Sequence, residues 1–216
     1  MTERLQEIFK NLPTCHTFAD VGCDHGYIAK AMVQQGKCQK VVIADISKKC
    51  LEKAEQLLYK EINDGVAVAI VSNGFEKLPT VDLALIAGMG GQEIISILQK
   101  AKSLPQKLVL QPMKNSDQVR VVAVNLGYKI VKDYTFYTSN VYYDLILLEK
   151  GIDTLTQEEI EFGRTNLATK PQAFIDKLKF QIEGLRHYAN GKNLKEETRS
   201  EMLAQAERLQ KYVFIK

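Results

Sequence analysis

The sequence predicts an α/β fold in which a mostly parallel sheet ends in one antiparallel hairpin, followed by a C-terminal helical hairpin of coiled-coil type. Three observations support this. Short apolar runs alternate with helix-length segments between residues 17 and 127, the order that right-handed β-α-β crossovers produce. The first run, Phe18-Ala19-Asp20-Val21, passes into a tight turn, Gly22-Cys23-Asp24-His25-Gly26, and emerges as a helix at Tyr27. Two extended runs, 128–135 and 141–148, then follow one another with no room for a crossover helix, so they must pair antiparallel.

Taken in order, Leu5, Ile8 and Leu12 share one face of a short helix stopped by Pro13. That helix either covers the sheet edge or borders a ligand. After the glycine turn a helix runs from Tyr27 to Gln35, with Gly36 as its cap. Residues 40–45 form the second strand, and Ser47 caps a helix whose apolar face carries Leu51, Ala54, Leu57 and Leu58. The β-branched run 66–71 predicts a strand buried on both faces, ending at Ser72-Asn73-Gly74-Phe75. Leu83–Ile86 is the fourth strand, followed by Ala87-Gly88-Met89-Gly90-Gly91 and a helix over 92–100. Leu108–Gln111 is the fifth strand, ended by Pro112; Ser116 caps a helix to Leu126, and Gly127 closes it. The polar link Tyr137-Thr138-Ser139-Asn140 joins the hairpin strands. Past Gly151 the composition turns charged and helix-forming, which divides the chain into 1–151 and 152–216. A helical segment over 157–169 precedes Pro171. Ile175, Leu178, Ile182, Leu185 and Ala189, and again Met202, Ala206, Leu209 and Val213, give each arm of the final hairpin a narrow apolar seam. Turn residues 188–193 lie between them. This hairpin is either a prop or dimerisation element, or an arm that grips a large substrate.

Composition excludes several classes of protein. With 45% hydrophobic and 25% charged residues the chain is an ordinary globular one, and a net charge of +3 permits nucleic-acid binding without demanding it. No run is long and apolar enough to span a membrane, and the N-terminus lacks the basic-then-apolar form of a secretion signal, so a cytoplasmic protein is expected. The cysteines at 15, 23, 38 and 50 form no C-x-x-C pair and have no histidine at zinc spacing. They read as reduced thiols with no metal, Cys23 being small filler of the turn.

The glycine turn carries the chemistry. A dinucleotide site asks for G-x-G-x-x-G with a pyrophosphate on the helix N-terminus. Here Asp24 stands inside the turn, where it repels a pyrophosphate and attracts a cation. S-adenosylmethionine carries both a sulfonium and an ammonium, so the turn favours that cofactor over NAD. Asp45 ends the second strand roughly 20 residues later, where this architecture places an acid for ribose hydroxyls.

Four motifs together, Asp20-Val21-Gly22-Cys23-Asp24-His25-Gly26-Tyr27, Ile86 to Gly91, Leu108 to Pro112 and Tyr143-Asp144, resemble the bacterial tRNA adenine-N1 methyltransferases that act on adenine 22, the TrmK family. The resemblance covers roughly residues 1–150, and the helical appendage is similar by architecture. It implies a Rossmann-like class I methyltransferase sheet that transfers a methyl group from S-adenosylmethionine to N1 of adenine 22 in tRNA. It also implies that Gly22, Asp24 and Gly26 hold the methionine end of the cofactor, Asp45 the ribose and Asn73 the adenine amino group. Asp20, Cys23, Ile46, Gly74, Ala87, Gly88 and Met89 complete the expected cofactor site. Asp24, His25 and Tyr27 are the expected catalytic set: a carboxylate for developing positive charge, an imidazole to accept from N6, a ring to stack on the base. His25 can equally be a bonded turn residue, and Asn73 a plain turn residue. Gly90, Gly91, Gln111, Pro112, Arg120 and Tyr143 are expected on the substrate side. The Asn/Asp-Pro-Pro-aromatic signature of amino methyltransferases is absent after the fourth strand, which suits adenine N1, whose lone pair is free at neutral pH. Lys30, Lys37, Lys114, Arg120, Arg164, Lys170, Lys177 and Lys179 are expected to form a diffuse basic surface for RNA phosphates. A monomer is expected, or a homodimer through the helical arm. The alternatives are a methyltransferase of another RNA or a small molecule, and a tRNA-binding protein without catalysis.

Overall fold

The computed structural model describes residues 1–191 and 194–214. The parallel part of the sheet comprises β1 (Thr17–Val21), β2 (Lys40–Asp45), β3 (Ala67–Val71), β4 (Leu83–Met89) and β5 (Lys107–Pro112). The reversed hairpin is β6 (Tyr128–Thr138) and β7 (Val141–Lys150). All seven lie in one sheet, in the order β3-β2-β1-β4-β5-β7-β6. The order reverses between β1 and β4, which places a crevice beyond their carboxyl ends.

One face of the sheet packs on α1 (Glu3–Asn11), α2 (Tyr27–Gln34), α3 (Lys48–Leu57) and α4 (Tyr59–Asn63), burying Ile8, Phe18, Met32, Leu58 and Leu85. The other face packs on α5 (Gly91–Lys100) and α6 (Ser116–Asn125) around Ile86, Ile94, Leu110, Val119 and Tyr128. Helices on both faces are what parallel strands require. Ser47 caps α3 as expected, its hydroxyl accepting from Cys50 N–H at 3.3 Å.

Five local expectations are corrected. The valine-rich β3 is an edge strand, not a strand buried on both faces: Val68 is 45% and Val71 42% exposed. Asn115, not Ser116, is the N-cap of α6, held in the left-handed region at φ 58° because the loop is tied to α5, where Gly91 N–H donates to Lys114 O at 3.0 Å. The hairpin link shrinks to Ser139-Asn140, both left-handed, as a two-residue turn between twisted strands requires. The segment 157–169 is two helices, α7 (Gln157–Phe162) and α8 (Arg164–Thr169), broken at Gly163 with φ 87°. A side chain there would meet Asp133 Oδ2 at 2.6 Å, so only glycine fits.

Arg120 is the fifth. It is buried, its Nε 2.8 Å from Asp133 Oδ2 and its Nη1 donating to Ile160 O at 3.0 Å, far from the substrate role expected of it. It locks the C-terminal helices to the sheet.

Those helices and the link that precedes them close the outer edge of β6 with side chains. Ile130, Asp133 and Thr135 donate their backbone N–H groups to Asp153, Thr165 and Asn166, each at 2.9 Å. An open edge is thereby protected without an added strand. Beyond it, α9 (Gln172–Ala189) and α10 (Glu196–Val213) pack antiparallel, burying Phe174, Ile175, Leu178 and Ile182 against Ala206, Leu209 and Val213. Apart from Phe174 these belong to the seams read from the sequence, of which Leu185 and Met202 are only partly buried. Of the turn expected over 188–193, residues 192 and 193 lie outside the described residues.

Candidate active site at the glycine turn

The chain leaves β1 at Val21 and turns three times through left-handed conformations, at Gly22, Asp24 and Gly26. At Gly22 a side chain would overlap the Met89 methyl, and at Gly26 it would come within 2.8 Å of Leu58. The turn therefore packs tightly against β4 on one side and α3 and α4 on the other, with Gly26 serving as the N-cap of α2. Asp24 takes φ 46° without being glycine, a strained position of the kind found at functional sites.

A cavity of about 240 Å³ opens at this turn. Asp20, Gly22, Cys23, Asp24, His25, Tyr27 and Ala87 all line it, so seven of the residues singled out in the sequence converge. Thr2, Arg4, Leu5, Ile28 and Leu85 complete the wall. Asp20 is almost fully buried, and no described cation pairs with it. Burial pushes its pKa up to about 7; the Ala29 amide pulls it down and the Asp45 carboxylate adds to the rise. Cys23 is buried, and burial together with Asp20 and Asp45 drives its thiol far above the usual range, so it is filler and no nucleophile.

At the cavity mouth Asp24 Oδ2 lies 2.8 Å from His25 Nδ1. The proton belongs on Nδ1, which leaves Nε2 to accept. The imidazole stacks on Tyr27, centroids 5.6 Å apart and planes within 8°. Asp45 closes the other side: its Oδ1 accepts from Ser47 N–H at 2.8 Å and its Oδ2 faces Asp24 N–H at 3.4 Å. Next to it Ile46 is 70% exposed, an apolar shelf facing solvent at the crevice. Asn73 follows β3; its Nδ2 donates to Glu76 at 2.9 Å, leaving Oδ1 to accept. Gly74 is buried because α5 passes over it, with Ile97 occupying the space of a side chain.

On the β4–β5 side, Gly88 and Met89 end β4 at a register shift, Gly90 caps α5, and Gly91 is buried against Lys114 O. Gly91 is thus a packing glycine and is not open to substrate. Gln111 and Pro112 end β5, both buried; Gln111 Oε1 accepts from Arg4 Nη1 at 2.6 Å. Tyr143 on β7 is half-buried, stacked on Phe136 at 5.4 Å, with Arg4 Cζ 5.9 Å from its ring centre. Arg4 went unnoticed in the sequence, since a lone arginine on an amphipathic helix has no signature. The option that helix 3–12 borders a ligand was the available clue.

The expected basic surface is largely committed internally. Lys30 donates to Leu57 O, Lys37 to Phe9 O and Leu12 O, and Lys170 to Phe214 O. Arg164 pairs with Asp153 and Glu159, and Lys177 with Asp144. Among the described residues, Lys114 and Lys179 alone of the eight have no such partner.

A carboxylate-lined cavity at the switch point of such a sheet defines a class, and the comparison of sequences agrees. Residues 1–146 match the family model of the methyltransferase domain, and the chain belongs to that family. More particularly, it is similar over 99% of its length to TrmK of M. capricolum solved with S-adenosyl-homocysteine, at 27% identity and TM-score 0.87, covering 97% of that chain. The fold is shared with the B. subtilis m1A22 tRNA methyltransferase TrmK, at 20% identity and TM-score 0.83, with 99% of each chain covered. A candidate tRNA methyltransferase of Mycoplasma pneumoniae is 39% identical over 107 residues, 48% of this chain and 49% of that protein. The chain thus spans about half the length of that curated relative, and 61% of a second from Mycoplasma genitalium. No described helix is long and apolar enough to cross a membrane, and no described cluster of side chains suits a metal.

Proposed function

We propose that the protein transfers a methyl group from S-adenosylmethionine to N1 of adenine 22 in tRNA. The observation that carries this is the cavity at the glycine turn, where Asp20 and Asp24 present carboxylates that no described lysine or arginine neutralises. Such a donor set fits the ammonium and sulfonium of the cofactor and repels a pyrophosphate. The whole-length likeness to a TrmK structure holding S-adenosyl-homocysteine supports the same reading.

When bound, the cofactor supplies an electrophilic methyl group. The chain's own residues bind and orient. Asp20 and the Gly22 turn hold the amino-acid end, Asp45 accepts from the ribose hydroxyls, Ile46 packs on the adenine face, and Asn73 Oδ1 accepts from its amino group. Gly74, Ala87, Gly88 and Met89 shape the floor of this crevice. On the substrate side His25 Nε2 accepts from N6 of the target base, Tyr27 and Tyr143 offer stacking faces, and Gly90 stands at the wall, while Gln111 and Pro112, both buried, are not open to substrate. Asp24 stabilises the positive charge that the purine gains as N1 is alkylated. No group has to remove a proton from N1 before attack. The helices beyond residue 151, docked on β6 and α6, serve as an arm that grips the tRNA.

The test is direct. Purified protein is incubated with S-adenosylmethionine and unmodified tRNA transcripts carrying A22, beside A22→G transcripts, and the digested nucleosides are read by mass spectrometry. 1-Methyladenosine with A22 alone is expected; the same yield from both transcripts refutes the position, and no product from either refutes the reaction.

A further inference from the structure

The free end of the β6–β7 hairpin carries an aromatic surface that neither the core nor the reaction uses. The last pair between β5 and the hairpin is Leu110↔Ile146, yet β6 and β7 run on together for five more pairs, from Leu145↔Tyr134 to Val141↔Thr138. Since β7 runs against the parallel strands, this overhang stands at their carboxyl edge, where the crevice opens. It is also tied to the cavity wall. The Thr138 hydroxyl donates to Glu3 at 2.5 Å, at the start of α1, and the next residue of that helix lines the cavity.

On the face of the overhang away from Tyr143, Tyr137 and Tyr142 stand opposite one another, ring centres 4.6 Å apart and planes at 44°. Tyr137 is 50% exposed and joins no hydrophobic cluster among the described residues. Its ring is held all the same: the phenol donates to Asn140 Oδ1 at 3.2 Å, and Asn140 is fixed in the left-handed turn. Tyr142 faces the arm. Partial burial first, then the Asp176 carboxylate of α9 and the Tyr137 ring, push its phenol up. Two residues along the same face, Asp144 holds Lys177 of α9 at 3.1 Å. The pair thus lies between the crevice and the arm, on the path of any substrate that touches both.

The chemistry of the surface selects its occupant. Lys177 is spent on Asp144 and the Asp176 carboxylate stands at the rim, so a phosphate is not what this surface attracts. Two tyrosines offer roughly 300–500 Å² between them, short of the roughly 800 Å² per partner of a stable protein interface. An uncharged, flat ring system of nucleobase size fits both limits. We propose that Tyr137 and Tyr142 form a stacking platform for an unpaired nucleobase flanking the target adenine of the tRNA. The proposal rests on the functional reading above and adds a contact to the same substrate: one face of the hairpin end serves the target base through Tyr143, the other its neighbour.

The chain contains no tryptophan, so Tyr137→Trp introduces a single reporter ring. An unmodified tRNA transcript carrying A22 should quench its emission on binding, whereas Tyr59→Trp, exposed on α4 beside β3 at the other edge of the sheet, should stay unquenched. In turnover, Tyr137→Ala should raise KM for the transcript about five- to a hundredfold, with kcat and S-adenosyl-homocysteine affinity within about twofold of the parent. Tyr137→Phe keeps the ring and should match the parent. Unquenched emission of Tyr137→Trp, or an unchanged KM for Tyr137→Ala, overturns the proposal. An equal loss in Tyr137→Phe does so too, since the hydroxyl and not the ring face would then be at work. Emission that follows protein concentration and ignores tRNA would assign the pair to a second copy of the chain instead. A parent protein that leaves the transcript unmethylated refutes the functional reading alone; quenching needs only binding and still decides the platform.

Discussion

The molecule holds two clusters of buried charge built on opposite plans. At the junction between the sheet and the C-terminal helices, charges are matched: Arg120 with Asp133, Lys177 with Asp144. Burial alone would push Asp144 up, but Lys177, Arg120 and the hydroxyls of Thr135 and Ser116 together hold its carboxyl below the usual range. At the glycine turn the buried Asp20 has no such cation among the described residues, and its pKa rises to about 7. A structural charge is stabilised by partners the chain supplies. A binding charge is left short of them, and the ligand completes it.

The contrast can be broken from either side. The largest effect is expected at the junction. Asp133→Ala strands Arg120, whose Nη2 already lacks a partner among the described residues, and also frees Thr165 N–H. A loss of about 3–5 kcal/mol in denaturant unfolding is expected. A loss under 1 kcal/mol would mean the cluster is not structural.

Next comes Asp24→Ala at the cavity mouth. Methylation should fall at least about a hundredfold, as for lost transition-state electrostatics, with tRNA affinity nearly unchanged. A large loss of tRNA affinity would move Asp24 out of the reaction centre.

Asp20→Asn sharpens the comparison by running the other way. An acid whose folded pKa is raised to about 7 loses folding stability as pH climbs from about 4 to 7, because the unfolded chain ionises first. Asn at this position removes that loss. The ligand-free variant should be more stable than the parent at pH 8 by about 2–4 kcal/mol, the gap closing toward pH 4, while cofactor binding is lost. Equal melting temperatures across that range would place a hidden cation beside Asp20.

The smallest effect lies at the open edge of the sheet. Val68→Lys on β3 should change stability by no more than about 0.5 kcal/mol, since the side chain faces water.

Strands, crossovers and the reversed hairpin were legible because each has a local pattern: alternating runs, a glycine turn, no room for a helix. Strand order has none. Residues 66–71 read as a core strand because a valine run looks alike in the middle of a sheet and at its edge, and neighbours decide which. Residues 157–169 read as one helical segment; only the packing of Asp133 against Gly163 shows a break. Arg120 looked like an RNA contact because its partner sits on another element, and the internal commitments of Lys30, Lys37 and Lys177 were equally invisible. The converging carboxylates were found since the turn and strand end that carry them are motifs; Arg4 reaches the cavity only through the docking of α1.

The most direct measurement of the central claim is proton-linked binding of S-adenosyl-homocysteine, by calorimetry in buffers of different ionisation enthalpy. An ammonium meeting Asp20 must displace its proton, so binding should release protons near pH 7 and tighten about tenfold from pH 6 to 8. Binding without proton release and with the same affinity at both pH values would contradict the claim that Asp20 waits for the cofactor's charge.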